Sequence, residues 1–444
     1  MADVPPVELP AESMEALEEP QSSSLWRNGA FRRLWTASTI SVFGSLVTRM
    51  ALPFVAILTL NADAFGVALL RSMDVIAALA VGLVAGAWVD RLRRRPVMIW
   101  ADIGRAVLLA SIPVAAFGGW LSLPQLLLVA FLAAVLTTFF DVADNAYLPT
   151  IVPRRDLVRA NGAIAATGSV SEFAAFGASG FLVQLLSGPL TVAIDAVTFV
   201  ISALFLGSIR AREAPPPPTA ERESVRRDIA TGLRLVISHP VLRASAIANM
   251  GFHAMWGVFG ATWYLFAIEE LGLDPAAIGV IAAVGGVSSL FGALLGPRLG
   301  RRLGVGRLIV GTSVAAGIGS LFIPLAPAGA PLIAMAFLLG QQLVTDPAMT
   351  IFDINDVSIR QAIVHDRQLG RVNATIHVLG QVAMLVVTLG TGVLALLIGL
   401  RAVGFLSVLG AVVAALALWY SPIRRMQTID DAAPARTAGS PSGE

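Results

Sequence analysis

Residues 140–164 read FDVADNAYLPTIVPRRDLVRANGAI, and residues 352–376 read FDINDVSIRQAIVHDRQLGRVNATI, 212 positions later. Ten of the 25 positions are identical: Phe, Asp, Asp, Ile, Val, Arg, Leu, Arg, Asn and Ile. A second echo lies at nearly the same offset, where GAWVDRLRRR from Gly86 is answered by GPRLGRRLGVGR from Gly296. A chain that repeats itself at half its length is most simply two copies of one structural unit.

Hydropathy says what the unit is. With 56% hydrophobic and 14% charged residues, the chain is too apolar for an ordinary soluble domain. Long apolar stretches with few charges recur, each able to cross ~30 Å of hydrocarbon as a helix. The expected spans are roughly 34–60, 67–89, 97–118, 124–146, 162–186, 190–209, 243–268, 276–297, 308–326, 331–352, 371–397 and 401–420. None shows the short alternating pattern of an outer-membrane strand. The expected fold is an all-α integral membrane protein of twelve transmembrane helices in two pseudo-symmetric six-helix bundles. Parallel halves of this kind are a transporter architecture, with the substrate site at their seam.

All 31 basic residues are arginine. Without lysine there is no Walker A loop and no Schiff-base cofactor. Without cysteine there is no thiolate chemistry and no Cys-type zinc site. His239, His253, His365 and His377 lack metal-ligand spacing. No cofactor, no metal and no enzymatic activity are expected. Placing the N-terminus in the cytoplasm puts all the arginines except Arg49, Arg71, Arg105 and Arg401 on that side. The expected setting is a bacterial cytoplasmic membrane, with both termini inside.

Residues 1–25 are acidic, lack a signal-peptide pattern, and read as a disordered cytoplasmic tail. The first bundle is expected over 26–210 and the second over 241–421, with 422–444 a flexible tail. Between the bundles, 211–240 is a proline-rich, charged cytoplasmic linker. Its second part, from about Glu223 to Ile237, has the pattern of an amphipathic helix on the membrane surface. Arg91 to Arg95 sit between two close spans, which argues for topogenic and gating roles and against nucleic acid.

The segment GAWVDRLRRRP, Gly86 to Pro96, resembles the loop 2–3 signature of the major facilitator superfamily: a glycine, an Asp-Arg pair, then paired arginines. YLPTIVPRRDLVRANG, HPVLRA and LGRVNA are similar to the branch holding macrolide exporters and the enterobactin exporter. Physically, Gly86 would let two helices approach closely, and Asp90 would suit a helix N-terminus. Arg91 and Arg94 could pair with Asp141 or Asp144 at the inner end of span 4. The resemblance implies that Asp90 and Arg91 brace a cytoplasmic gate when the cavity faces outward, docking near Arg371. The alternative is that these charges only set topology. Two features depart from the family pattern: GSVSEFAAFGASG in span 5 keeps glycines 168, 177 and 180 but has no proline, and the neighbourhood of Ser45 lacks an acid.

Ionisable groups inside the bilayer cost about 2.5–3.5 kcal/mol on insertion scales, so each is a functional candidate. Arg49 shares a polar stripe with Ser38, Ser41, Ser45 and Thr48 on span 1, and its expected partner is either Asp74 or Glu172. Glu172 and Asp346 are the acids expected to carry protons, with a permanent structural ion pair as the alternative. Asp346 shares its helix with Gln342 and Thr345. Asp102, Arg105 and Asp195 match residues usual in the family near helix ends and are weighted as structural. Phe252, Trp256, Phe259 and Trp263 recur at spacings of 4, 3 and 4, either as a substrate-stacking face or as packing.

The expected function is a monomeric secondary transporter that exports a hydrophobic or amphiphilic small molecule by alternating access, driven by protons. Drugs, macrolide-like natural products and siderophores fall in that class. The alternatives are a lipid or lysolipid translocase of the same fold, and a membrane sensor or scaffold that no longer transports.

Overall fold

The structure, a computed structural model, describes residues 25–89, 91–210, 213, 225–429 and 431. Its transmembrane helices are α1 Gly29–Phe54, α2 Ala64–Val89, α3 Arg94–Phe117, α4 Leu123–Ile151, α5 Leu157–Leu186 and α6 Gly188–Gly207 in the first half. The second half contains α7 Pro240–Leu265, α8 Pro275–Leu303, α9 Val305–Leu325, α10 Pro331–Ile363, α11 Asp366–Ile398 and α12 Leu400–Trp419. Proline in the first turn opens α4, α6, α7, α8 and α10, where its missing N–H costs nothing. Asn28 caps α1 by accepting from Ala30 N at 3.0 Å and Phe31 N at 3.2 Å. Asp274 caps α8 by accepting from Ala277 N at 2.7 Å.

Among the described residues, eleven of these helices combine membrane-crossing length with an apolar stretch. The twelfth, α7, has 26 residues, enough to cross, but carries Asn249, His253 and aromatic residues with polar atoms. It is a span whose polarity goes inward rather than to lipid.

The duplication is visible in the backbone. Helices α4 and α10 both stop at the same repeat position, Ile151 and Ile363. A π-helical turn closes α1 at Val55–Thr59 and α7 at Phe266–Glu270. Ser187 (φ 84°) joins α5 to α6, and Gly399 (φ 86°) joins α11 to α12. Within the first half α1 packs on α5 and α6, α2 on α4, and α3 on α4 and α6; the second half repeats these pairings helix for helix. The repeated segment is helix end more than loop, since α10 runs eleven residues past its expected limit. At 33 residues it is about 50 Å long and must project beyond the hydrocarbon.

The halves meet through α5 on α8 and α2 on α11, with α2 also touching α7. These contacts are tightest at the end away from the termini. A Cβ on Gly180 would lie 2.7 Å from Gly279 Cα and 2.3 Å from the Pro275 carbonyl oxygen. One on Gly392 would lie 2.6 Å from Ala68 Cβ. Glycine here lets backbones touch. Tyr264 donates to Met50 Sδ at 2.8 Å and stands edge-on to Phe54, sealing the same end across the halves. Toward the termini the first half keeps its own core around Phe31, Met98 and Phe140, separate from that of the second half.

Two segments differ from expectation. The linker helix Val225–Ser238 lies against α11 and α7 of the second half, with a Cβ on Gly232 falling 2.9 Å from the Arg371 carbonyl oxygen. Its Val236 is buried with Leu242, Val372 and Ile376, so protein rather than membrane surface covers that face. Past α12 the chain does not run free at once. Pro422–Arg425 forms a helical turn, and the Gln427 and Met426 carbonyls accept from Val305 N at 3.1 Å and Gly306 N at 2.9 Å. The tails 1–24 and 432–444 lie outside the described residues.

Candidate functional site

A cavity of about 760 Å³ lies at the seam of the halves, within the range that holds a drug-sized ligand. Helix α7 contributes Trp256, Phe259 and Trp263 to its wall, α5 contributes Glu172, and α10 contributes Gln342 and Asp346. A second chamber of about 370 Å³, inside the first half, is lined by Ser41, Ser45, Asp74, Arg105, Asp141 and Asp195. Arg49 and Arg71 line both.

The two chambers have different electrostatics. In the smaller one Arg105 is buried between the rings of Phe140 and Phe199, at 4.5 and 4.1 Å. It pairs with Asp102, donates to Ser41 Oγ at 3.1 Å and to Thr137 Oγ1 at 3.3 Å, and feels Asp141 and Asp195. Asp195 accepts from Thr48 and from Thr198 Oγ1, the latter at 2.8 Å. Gly44 makes room for it, since a Cβ there would fall 1.9 Å from Asp195 Oδ1. The family-like trio Asp102, Arg105 and Asp195 is thus one interlocked cluster spanning α1, α3, α4 and α6.

On the wall shared by the two chambers, Arg49 Nε stands 3.6 Å from Asp74 Oδ2 of the smaller chamber, which selects Asp74 over Glu172 as its partner. Glu172 is exposed on the cavity wall, and no described residue forms a hydrogen bond or ion pair with its carboxylate or with that of Asp346. Gly285 lies behind Asp346, where a Cβ would be 2.4 Å from its Oδ2. Gln342 Nε2 donates to the Ile281 carbonyl at 3.3 Å. His253 bonds through Nδ1 to the Asn249 carbonyl at 2.9 Å, a helix contact that leaves Nε2 for the cavity it lines.

The aromatic face divides. Trp256 is 38% exposed and Phe259 and Trp263 line the cavity, but Phe252 is 2% exposed and packs on the Phe352 ring at 4.6 Å. Phe252 belongs to the core because the 4-3-4 spacing covers an arc wider than the cavity. Thr345 is likewise buried, pressed against Gly319, and does not reach the substrate space. Ser41 and Ser45 reach only the smaller chamber.

In this conformation the described gate candidates are not brought together. Asp90 lies outside the described residues. A Cβ on Gly86 would meet nothing within 4 Å, so no close helix approach occurs there. Arg91 is exposed; Arg94 pairs with Glu213 at 3.6 Å, not with Asp141 or Asp144. Glu213 also accepts from Arg94 N at 2.7 Å, capping α3. Asp141 faces the smaller chamber, and Asp144 accepts from Ser38 Oγ at 3.0 Å. In the second half Ser245 donates to Asp356 in the same way. Asp356 has in addition Arg360 at 3.2 Å, which bonds Asn373 Oδ1 at 2.9 Å. The stretch around Arg371 receives the linker helix.

Sequence reasoning passed over Arg71. Its signal was present, since Arg71 is one of four arginines that the inside count leaves unexplained.

A family model described as the Major Facilitator Superfamily matches residues 34–353. The chain is 29% identical over 214 residues to the multidrug efflux pump Tap of Mycolicibacterium fortuitum, covering 47% of this chain and 52% of that one. With Tap of Mycobacterium tuberculosis it shares 26% over 337 residues, 74% of this chain and 78% of the other. With macrolide efflux protein A of Streptococcus pyogenes it shares 21% over 265 residues, 60% and 65% of the two chains. The chain thus spans about half the length of the first of these relatives. Among solved structures, the nucleoside transporter NupG superposes with a TM-score of 0.71 at 15% identity, over 88% of this chain and 98% of that one.

Proposed function

This chain belongs to the major facilitator superfamily, whose members are transporters and not enzymes, and we propose that it exports a hydrophobic or amphiphilic small molecule by alternating access. The observation that carries this reading is the aromatic-walled cavity of about 760 Å³ at the seam, sealed at the end away from the termini. With the termini in the cytoplasm, as the arginine bias argues, the cavity faces inward and is ready to load. The efflux proteins named above support the direction of transport. Rocking about the α5–α8 and α2–α11 contacts then opens the far end and brings the terminal ends together. In that second state Asp90, Arg91 and the start of α11 near Arg371 form the inner brace. Arg94 remains available to it only by leaving Glu213.

The driving force in this reading is proton entry through Glu172 or Asp346. Each is a carboxylate on the cavity wall without a partner of its own among the described residues. One proton crossing 100 mV releases about 2.3 kcal/mol, enough to bias a two-state equilibrium more than tenfold. In liposomes with an imposed pH gradient, the purified protein should move a fluorescent amphiphile such as a rhodamine. Glu172→Gln or Asp346→Asn should uncouple that movement from the gradient. If both single variants and the double variant keep their full gradient dependence, the coupling site lies elsewhere.

A further inference from the structure

The charges left unpaired in the larger chamber have opposite signs on opposite flanks. Arg49 is neutralised by Asp74, and Arg105 by the cluster around it. Among the described residues Arg71 has no carboxylate within ion-pair distance, and its buried Nε has no hydrogen-bond partner. It stands on α2 and lines the chamber together with Tyr264 and Met50 of the seal. The acids occupy the other flank, where α5, α8 and α10 come together. Phe173, next to Glu172, touches the position of Gly286, while Gly285 leaves space for Asp346. Between the flanks run Trp256 and Trp263 of α7.

A purely cationic ligand satisfies the acids but is repelled at Arg71; a purely anionic one meets the reverse problem. A partly desolvated charge without a counterion is unfavourable, and a ligand that supplies the counterion removes that cost. We propose that the chamber selects zwitterionic amphiphiles: an amine cation at the Glu172–Asp346 flank, a flat apolar body against the tryptophans, and an anionic group, such as a carboxylate, at Arg71. The inference rests on the transport reading above and narrows its substrate class.

A matched pair of dyes tests it: a rhodamine with a free carboxylate, and its ethyl ester, which keeps the ring system and the cation and lacks the anion. Polarisation of the dye's own emission reports binding to the purified protein. The free acid should bind about fivefold more tightly than the ester, the upper range for a solvent-accessible ion pair. Arg71→Gln should weaken the acid alone and erase the difference, and Arg71→Lys should restore part of it. Asp346→Asn should weaken both dyes. Equal affinities in the unaltered protein, or a preference that survives Arg71→Gln, would overturn the proposal. Dye movement in liposomes separates the two readings. A preference in binding with no transport of either dye under any gradient counts against the export reading alone. Transport of both dyes without preference counts against the zwitterion alone.

Discussion

Adding one methyl group at Gly180 should shift the conformational preference of the protein toward an open far end. The Cβ would lie 2.3 Å from the Pro275 carbonyl oxygen and 2.7 and 2.8 Å from the Gly279 Cα and N, all backbone atoms that cannot rotate away. Relief requires α5 and α8 to separate at the sealed end. Overpacking of this kind costs about 1–3 kcal/mol. In the alternating-access reading the cost falls only on the state in which that end is closed, because opening that end parts these helices. At about 1.4 kcal/mol per decade, Gly180→Ala should therefore shift the equilibrium roughly 5- to 150-fold toward the open far end. The chain has no cysteine, so a single Ser289→Cys on the cavity wall provides a clean reporter. A charged, membrane-impermeant thiol reagent should label it faster from the far side and slower from the terminal side in the Gly180→Ala background. Gly168 is the control, since it lies on the same helix and a Cβ there meets nothing within 4 Å. If Gly180→Ala and Gly168→Ala label alike from both sides, the seam is not what holds the far end shut.

Phe252→Ala, which empties a core position against Phe352, should destabilise the detergent-solubilised protein by about 3–5 kcal/mol, read as a fall in the thermal midpoint. Trp256→Ala, at the cavity wall, should leave that midpoint within a few degrees while changing drug binding; the opposite pattern would place Phe252 in the substrate space. Ser187 holds a left-handed backbone at φ 84° where its counterpart Gly399 holds the same turn with no Cβ. Ser187→Gly should therefore stabilise the protein by up to about 1 kcal/mol, and a lowered midpoint would refute the strain.

Much of the architecture was readable from apolar run length and from the repeat, because a membrane forces every span to satisfy its own backbone. The Arg49–Asp74 pair was also within reach, since depth along a helix can be counted from its ends. What periodicity supplies is the face a residue occupies, not the neighbour that face meets. Phe252 and Thr345 share faces with cavity residues yet point into the bundle core. Arg94 was expected to reach α4, but its partner Glu213 lies in a linker whose position no pattern reveals. Gate contacts are harder still, because in the alternating-access reading they form in only one of its two conformations. Arg71 stands in the sequence only as an arginine outside the inside count, and it is the fold that brings it to the same cavity as Glu172 and Asp346.

The segment connecting the two halves is tied down at both ends, to α3 through Glu213 and to α11 through the helix that begins at Val225. Twelve peptide steps separate these moorings, a reach of at most ~40 Å for any polypeptide. That contour length caps how far apart the two moorings can ever stand. The glycine joints at the far end set the opposite bound: they fix how near the two halves can come, since backbone there meets backbone with no side chain between.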